Sequence, residues 1–78
     1  MDLKTYLTDG KERGFSARFA EAIDVSPSFL SQMAAGSAPI SPARCVQIEQ
    51  ASAGVVTRKD LRPDDWNLIW PELAAQAA

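Results

Sequence analysis

Apolar residues recur along the chain at helical spacing, in short stretches separated by polar or glycine-containing turns. Leu3, Tyr6 and Leu7 fall on one face and predict a helix over residues 2–9. "GKERG", with glycine at both edges, ends it. Phe19, Ala20 and Ile23 predict a second helix over residues 16–23. Leu30, Met33 and Ala34 predict a third over residues 27–35, with Gly36 as its stop. Cys45, Val46 and Ile48 predict a fourth over residues 42–52, closed by Gly54, and a short turn follows near residues 58–61. Trp66, Ile69, Trp70 and Leu73 keep the i, i+3, i+4, i+7 register. Pro71 interrupts that stripe, so the pattern predicts a short helix over residues 64–70 and then a turn or loose tail. No segment has a convincing strand pattern, and there is no repeat or long linker.

The helix starts carry a second signal. An apolar residue followed by Ser or Thr precedes a helical stretch at Phe15-Ser16, Val25-Ser26, Ile40-Ser41 and Val56-Thr57. A Ser or Thr hydroxyl accepts a bond from an early helical N–H, so each is a predicted N-cap. Pro27 and Pro42 fall at the first helical position, where a missing N–H costs nothing. The residue before each cap has a staple partner at the fourth helical position: Phe15 with Ala20, Val25 with Leu30, Ile40 with Cys45, Val56 with Leu61. Asp60, three residues after Thr57, suits a capping box. The expected fold class is all-α, a compact bundle of four to five short helices. It would form one domain over residues 1–73, followed by a flexible tail over residues 74–78.

About three residues separate Ile23 from Pro27, and so short a link forces a sharp angle between two helices, as in a helix-turn-helix. Asp24 stands where the chain must turn. Glycine is easiest there because such turns often need φ > 0, and Asp is tolerated because its short side chain bonds locally. Ala20 is the small residue expected where the two helices approach.

With 78 residues, 46% hydrophobic and 23% charged, the chain suits one small folded domain with a limited core. A partner subunit would add to that core. The single cysteine, Cys45, excludes an intrachain disulfide and fits a reducing cytoplasm. With no apolar run of spanning length and no signal-peptide pattern, the expectation is a cytoplasmic protein without a membrane partner. The net charge of -2 is unevenly placed. Residues 1–59 carry seven basic against six acidic side chains, whereas residues 60–78 set Arg62 against four acidic ones. There is no histidine, which excludes a His-based triad, and one cysteine makes no zinc cluster. No phosphate-cradling glycine loop appears. Asp64 and Asp65 are adjacent, point apart and make a poor acid/base pair; they suit a helix N-terminus. The expectation is therefore no catalytic residue, metal, cofactor or small-molecule substrate.

"SARFAEAIDVSPSFLSQMAAG" resembles the helix-turn-helix of lambda-repressor-like Cro/CI regulators. "PISPARCVQIEQASAG" followed by "VVTRKDLRPDDW" is similar to the YdaS-like subgroup of phage Cro-type regulators and antitoxins. The resemblance runs from about residue 2 to Trp66. It implies a lambda-repressor-like DNA-binding domain that binds double-stranded operator DNA as a two-fold homodimer, without catalysis. It makes the helix over residues 27–35 the recognition helix and places Pro27, Ser28, Ser31 and Gln32 toward the bases. Ser16 and Ser26 match positions that touch phosphate. Asp24 replaces the usual turn glycine, and Ser37 and Ala38 stand where basic residues commonly follow Gly36. Ser37 joins the phosphate set by its position.

The chemistry of these residues suits those roles. The Gln32 amide can bond adenine N6 and N7 together, whereas the Ser28 and Ser31 hydroxyls bond several bases and specify weakly. Pro27 offers only apolar contact. Arg18 and Arg44, early in helices flanking the groove, and Lys11 and Arg13, in the loop before the second helix, are further phosphate candidates. Trp66, Ile69 and Trp70 have the spacing of a core or dimer face rather than of base-stacking platforms. The expected function is a Cro-like regulator, a repressor from a prophage or mobile element. The alternatives are an antitoxin acting by binding a cognate toxin protein, and an adaptor that only keeps the fold.

Overall fold

The first helix begins at a carboxylate. Asp2 accepts a bond from the Thr5 N–H at 3.1 Å and from the Thr5 hydroxyl at 2.7 Å, and these bonds hold its pKa below the ordinary value. From there the computed structural model describes residues 1–77, with side chains to residue 75. The helices are α1 (Leu3–Thr8), α2 (Phe15–Ala22), α3 (Pro27–Ala35), α4 (Pro42–Ala51), α5 (Arg58–Leu61), α6 (Trp66–Ile69) and α7 (Pro71–Ala77). No strand occurs among the described residues. The all-α class is as expected, but the chain is cut into more pieces than four or five. None of the described helices is long and apolar enough to cross a membrane.

Three of the four predicted caps form. Ser26 Oγ accepts from the Phe29 N–H at 3.1 Å, and Ser41 Oγ accepts from the Arg44 N–H at 3.2 Å. Thr57 and Asp60 form a reciprocal capping box, with Thr57 Oγ1 accepting from the Asp60 N–H at 3.2 Å and Asp60 Oδ2 accepting from the Thr57 N–H at 3.0 Å. The fourth expectation fails. The cap of α2 is Gly14, at φ 85°, and Ser16 is already the second helical residue. The cause is tertiary. Phe15 packs edge-on against Tyr6 at 5.6 Å and stacks with Phe19 at 6.1 Å, so it belongs to the first turn, and Gly14 supplies the left-handed step before it.

The C-terminal third also differs. The expected helix over residues 64–70 is reduced to α6, because residues 63–65 form a turn. Pro71 does not end the helical chain. It opens α7, occupying a first position where its missing N–H is no loss. Residues 74–77, expected as tail, continue that helix, and Ala78 lies outside the described residues.

One core joins all but the last elements. It contains Leu3, Tyr6 and Leu7 of α1, Phe19, Ala20 and Ile23 around α2, Leu30 and Met33 of α3, Ile48 of α4, and Val56. Cys45 is fully buried, and burial pushes its thiol pKa up, which disfavours the thiolate. Trp70 is only 8% exposed. Ala34, Val46 and Leu73, expected inward, are half-buried.

Polar groups close the turns between helices. Ser52 is buried, and its Oγ accepts from the Val56 N–H at 3.0 Å across the α4–α5 turn. Ala53 and Gly54 both take positive φ there, 55° and 82°. Glu49 accepts from the Arg58 N–H at 2.9 Å and pairs with the Arg58 guanidinium at 3.2 Å. That guanidinium lies 5.3 Å from the Trp70 ring centre, which ties the end of α6 back to α5. Arg62 donates to the Ile40 carbonyl at 2.7 Å and through two nitrogens to Asp65, at 3.0 and 2.7 Å. These bonds hold the Asp65 pKa below the ordinary carboxylate value.

Two stability tests follow from these turns. Ala53→Gly removes a left-handed alanine at the cost of some unfolded-state entropy, and should stabilise the protein by about 0.5–1 kcal/mol in urea denaturation. For Asp65, a folded pKa below the unfolded one means stability that is complete above the ordinary pKa, near ~3.9, and lost as pH falls through the folded value. Asp65→Asn should therefore be less stable than wild type at pH 7, and its stability should fall less steeply on acidification below pH ~4.

Candidate nucleic-acid interface

The link between α2 and α3 sets the geometry of this face. Asp24 takes φ 59°, the left-handed step expected of it. The Val25 N–H returns to the Ala20 carbonyl at 3.0 Å, and Ala20 is fully buried, so the backbones of the two helices pack closely. Leu30 and Met33 hold α3 on the core. Pro27, Ser28, Ser31 and Gln32 are left exposed along its outer side. The end of α3 is equally well defined. Gly36, at φ 81°, donates to the Met33 carbonyl at 3.2 Å, and the Ser37 N–H donates to the Gln32 carbonyl at 2.9 Å. This is a Schellman closure.

A groove of about 250 Å³ runs between α1, the start of α2 and α3. Its floor includes Leu7 and Leu30, and its rim carries Lys4, Thr8, Ser16, Pro27 and Ser31. The structure therefore brings Ser16 together with two of the four predicted base-facing residues. A second, shallower cleft lies along the turn and includes Ala17, Glu21, Asp24, Ser26 and Pro27. Ser28 and Gln32 line neither and face outward from α3.

The remaining sequence candidates fall in three places. Lys11, Arg13 and Arg18 lie beside the α1–α2 junction. Lys11 Nζ sits 4.6 Å from the Tyr6 ring centre and 5.3 Å from that of Phe15, which fixes its charge over the aromatic cluster. Arg13 is exposed, and Arg18 is 63% exposed with only a loose 3.8 Å approach to Glu12. Ser37 is exposed at the far end of α3, and its backbone N–H is occupied by the helix closure.

Arg44 has partners within the fold. It is half-buried and donates to the Ile23 carbonyl at 2.7 Å and to Gln47 Oε1 at 3.1 Å. It thus braces the α2–α3 link from α4. Its place explains this: the Ser41 cap aims the first turn of α4 at the end of α2, where the helix leaves carbonyls without partners. Trp66 and Ile69 are half-buried, and Lys59 Nζ lies 4.5 Å from the Trp66 ring centre, whereas Trp70 belongs to the core. Leu68, next to them, is 78% exposed.

Sequence reasoning missed Lys4 and Thr8 on the groove rim. Their signal was faint: they flank Leu7 at the i, i+3, i+4 positions of α1, but nothing local says which helix that face meets. The brace formed by Arg44 was missed for the same reason.

The arrangement is a small helical protein with an uncharged, outward-facing helix held rigidly over a short link. Residues 9–69, more than half of the chain, match the model of the family described as "Bacterial toxin YdaS", and the chain belongs to that family. No match is found among curated proteins.

The brace has a measurable consequence. Arg44→Met keeps most of the apolar stem but leaves the Ile23 carbonyl without its charged donor. Stability should drop by about 1–2 kcal/mol in urea denaturation. Unchanged stability would show that the bond contributes nothing to the fold.

Proposed function

We propose that this protein is a sequence-specific DNA-binding regulator, a Cro-like repressor from a prophage or mobile element. It binds operator DNA as a homodimer with α3 in the major groove. The observation that carries this reading is the face of α3. Leu30 and Met33 anchor the helix while Pro27, Ser28, Ser31 and Gln32 all face out, with Gln32 able to bond both acceptor and donor of an adenine edge. The absence of charge on α3 is no obstacle, because base edges are recognised by hydrogen bonds and apolar contact, while phosphates are held by flanking groups. The basic groups at the α1–α2 junction and the Ser16 hydroxyl stand ready for the second task. A dimer would set two copies of α3 about 34 Å apart, in successive major grooves.

A second reading has its own support. The family is described as a toxin, and Leu68 is an exposed apolar side chain beside the half-exposed Trp66 and Ile69. On that reading the protein is one partner of a toxin–antitoxin pair and acts through a protein surface on α6. Co-purification with the product of an adjacent gene, lost on Leu68→Asp, would favour it.

Selection from a pool of random duplexes separates the two. A DNA-reading protein should enrich an inverted repeat with half-sites about one helical turn apart. On that repeat Gln32→Ala should relax preference at one base position in each half-site, by about 1–3 kcal/mol, with the other positions unchanged. A pool with no enriched sequence would overturn the DNA reading.

A further inference from the structure

The basic residues differ in what they touch. Arg44 donates to the Ile23 carbonyl, Arg58 pairs with Glu49, Arg62 is bound to Asp65 and the Ile40 carbonyl, and Lys59 lies over Trp66. All four are on α4, α5 or the turn after α5, and all are engaged within the fold. The other four are Lys4 of α1, Lys11 and Arg13 of the α1–α2 loop, and Arg18 of α2. Lys11 lies over the Tyr6 and Phe15 rings as Lys59 lies over Trp66, and Arg18 makes a loose approach to Glu12, so of these four Lys4 and Arg13 have no ion pair or ring contact among the described residues. The loop after Gly36 carries the neutral Ser37 and Ala38.

The groove joins α1 and the start of α2 to α3. Exposed Lys4, Ser16 and Ser31 line it together with the apolar Leu7, Leu30 and Ala35. Thr8 Oγ1 donates to the Lys4 carbonyl at 2.9 Å, which leaves Lys4 Nζ, Ser16 Oγ and Ser31 Oγ as the other side-chain donors of the residues lining the groove. No acidic residue lines the groove. The nearest acids in sequence are otherwise placed: Asp2 caps α1 through Thr5, Asp9 ends α1, and Glu12 faces Arg18. We propose that this groove seats one backbone phosphate of duplex DNA, with Lys4 of α1 as its anchor and the Ser16 hydroxyl as a second donor. This rests on the DNA-binding reading above and adds a residue to it. Because Ser31 belongs both to the groove rim and to the outward face of α3, the seated phosphate sets how far α3 enters the major groove. Lys4 is a positioning residue here and reads no base.

The test uses the full-length protein and two probes: the duplex enriched from the random pool, and an unselected duplex of the same length. Affinity for each is measured over a range of salt concentrations. Removing one phosphate contact lowers the slope of log affinity against log salt by about 0.9 per protomer. Lys4→Gln should show that decrease on both duplexes while leaving the enriched sequence unchanged, and Lys4→Arg should restore the slope. Lys59→Gln changes the net charge equally but lies on α5, outside the groove lining, and should leave the slope as in wild type. If Lys4→Gln matches wild type, or if Lys59→Gln matches Lys4→Gln, the anchor is overturned while the DNA reading stands. If wild type binds neither duplex at any salt concentration, the DNA reading falls and the anchor falls with it.

Discussion

The four residues between α2 and α3 constrain everything else in this molecule. Ile23 must be buried, Asp24 must turn left-handed, Val25 must return its N–H to Ala20, and Ser26 must start the next helix. A link that short leaves one way to place α3 against α2. The fully buried Ala20 then makes the close approach possible, since any larger side chain would push the helices apart. The orientation is reinforced from outside by Arg44, whose bond to the Ile23 carbonyl ties the link to α4. A small core would otherwise leave such a joint soft. Here it is fixed by backbone geometry, one small residue and one charged hydrogen bond.

Charge is used unevenly across the fold. The arginines on and after α4 bind carbonyl oxygens and carboxylates where short helices meet, and so take the place of apolar area that a chain of this length lacks. Arg44, Arg58 and Arg62 are accordingly half-buried. The cations of α1, α2 and the loop between them are held more loosely: Lys11 lies over aromatic rings and Arg18 approaches Glu12 at 3.8 Å.

How much of this was legible in the sequence depended on whether the cause was local. Ser26, Ser41 and Thr57 act through bonds three residues away, and their helices start as expected. α3 has the bounds its pattern predicts, and Asp24 has the positive φ that so short a link demands. Phe15 and Ser16 show the limit. Their dipeptide looks like the other caps, but the Tyr6 and Phe19 rings draw Phe15 into the helix, and Gly14 can precede it. Pro71 likewise carries two meanings, helix end and helix start, and it takes the second beside the buried Trp70. Arg44 and Lys4 were opaque for a deeper reason. Each is defined by a partner on another helix, the Ile23 carbonyl for one and the α3 side of the groove for the other, and no periodicity in a single segment records that.

The closure of α3 links two properties that are usually treated apart. The carbonyl of Gln32 accepts from the N–H groups of both Ser37 and Ala38, at 2.9 and 3.3 Å. Gln32 is therefore clamped, through its own backbone, by the loop that follows Gly36. If α3 reads DNA as proposed, tension on that loop would reach Gln32 directly as fraying of the last helical turn. Tightness of grip and fidelity of choice would then rise and fall together, as in a pair of tongs whose jaw and handle share one rivet.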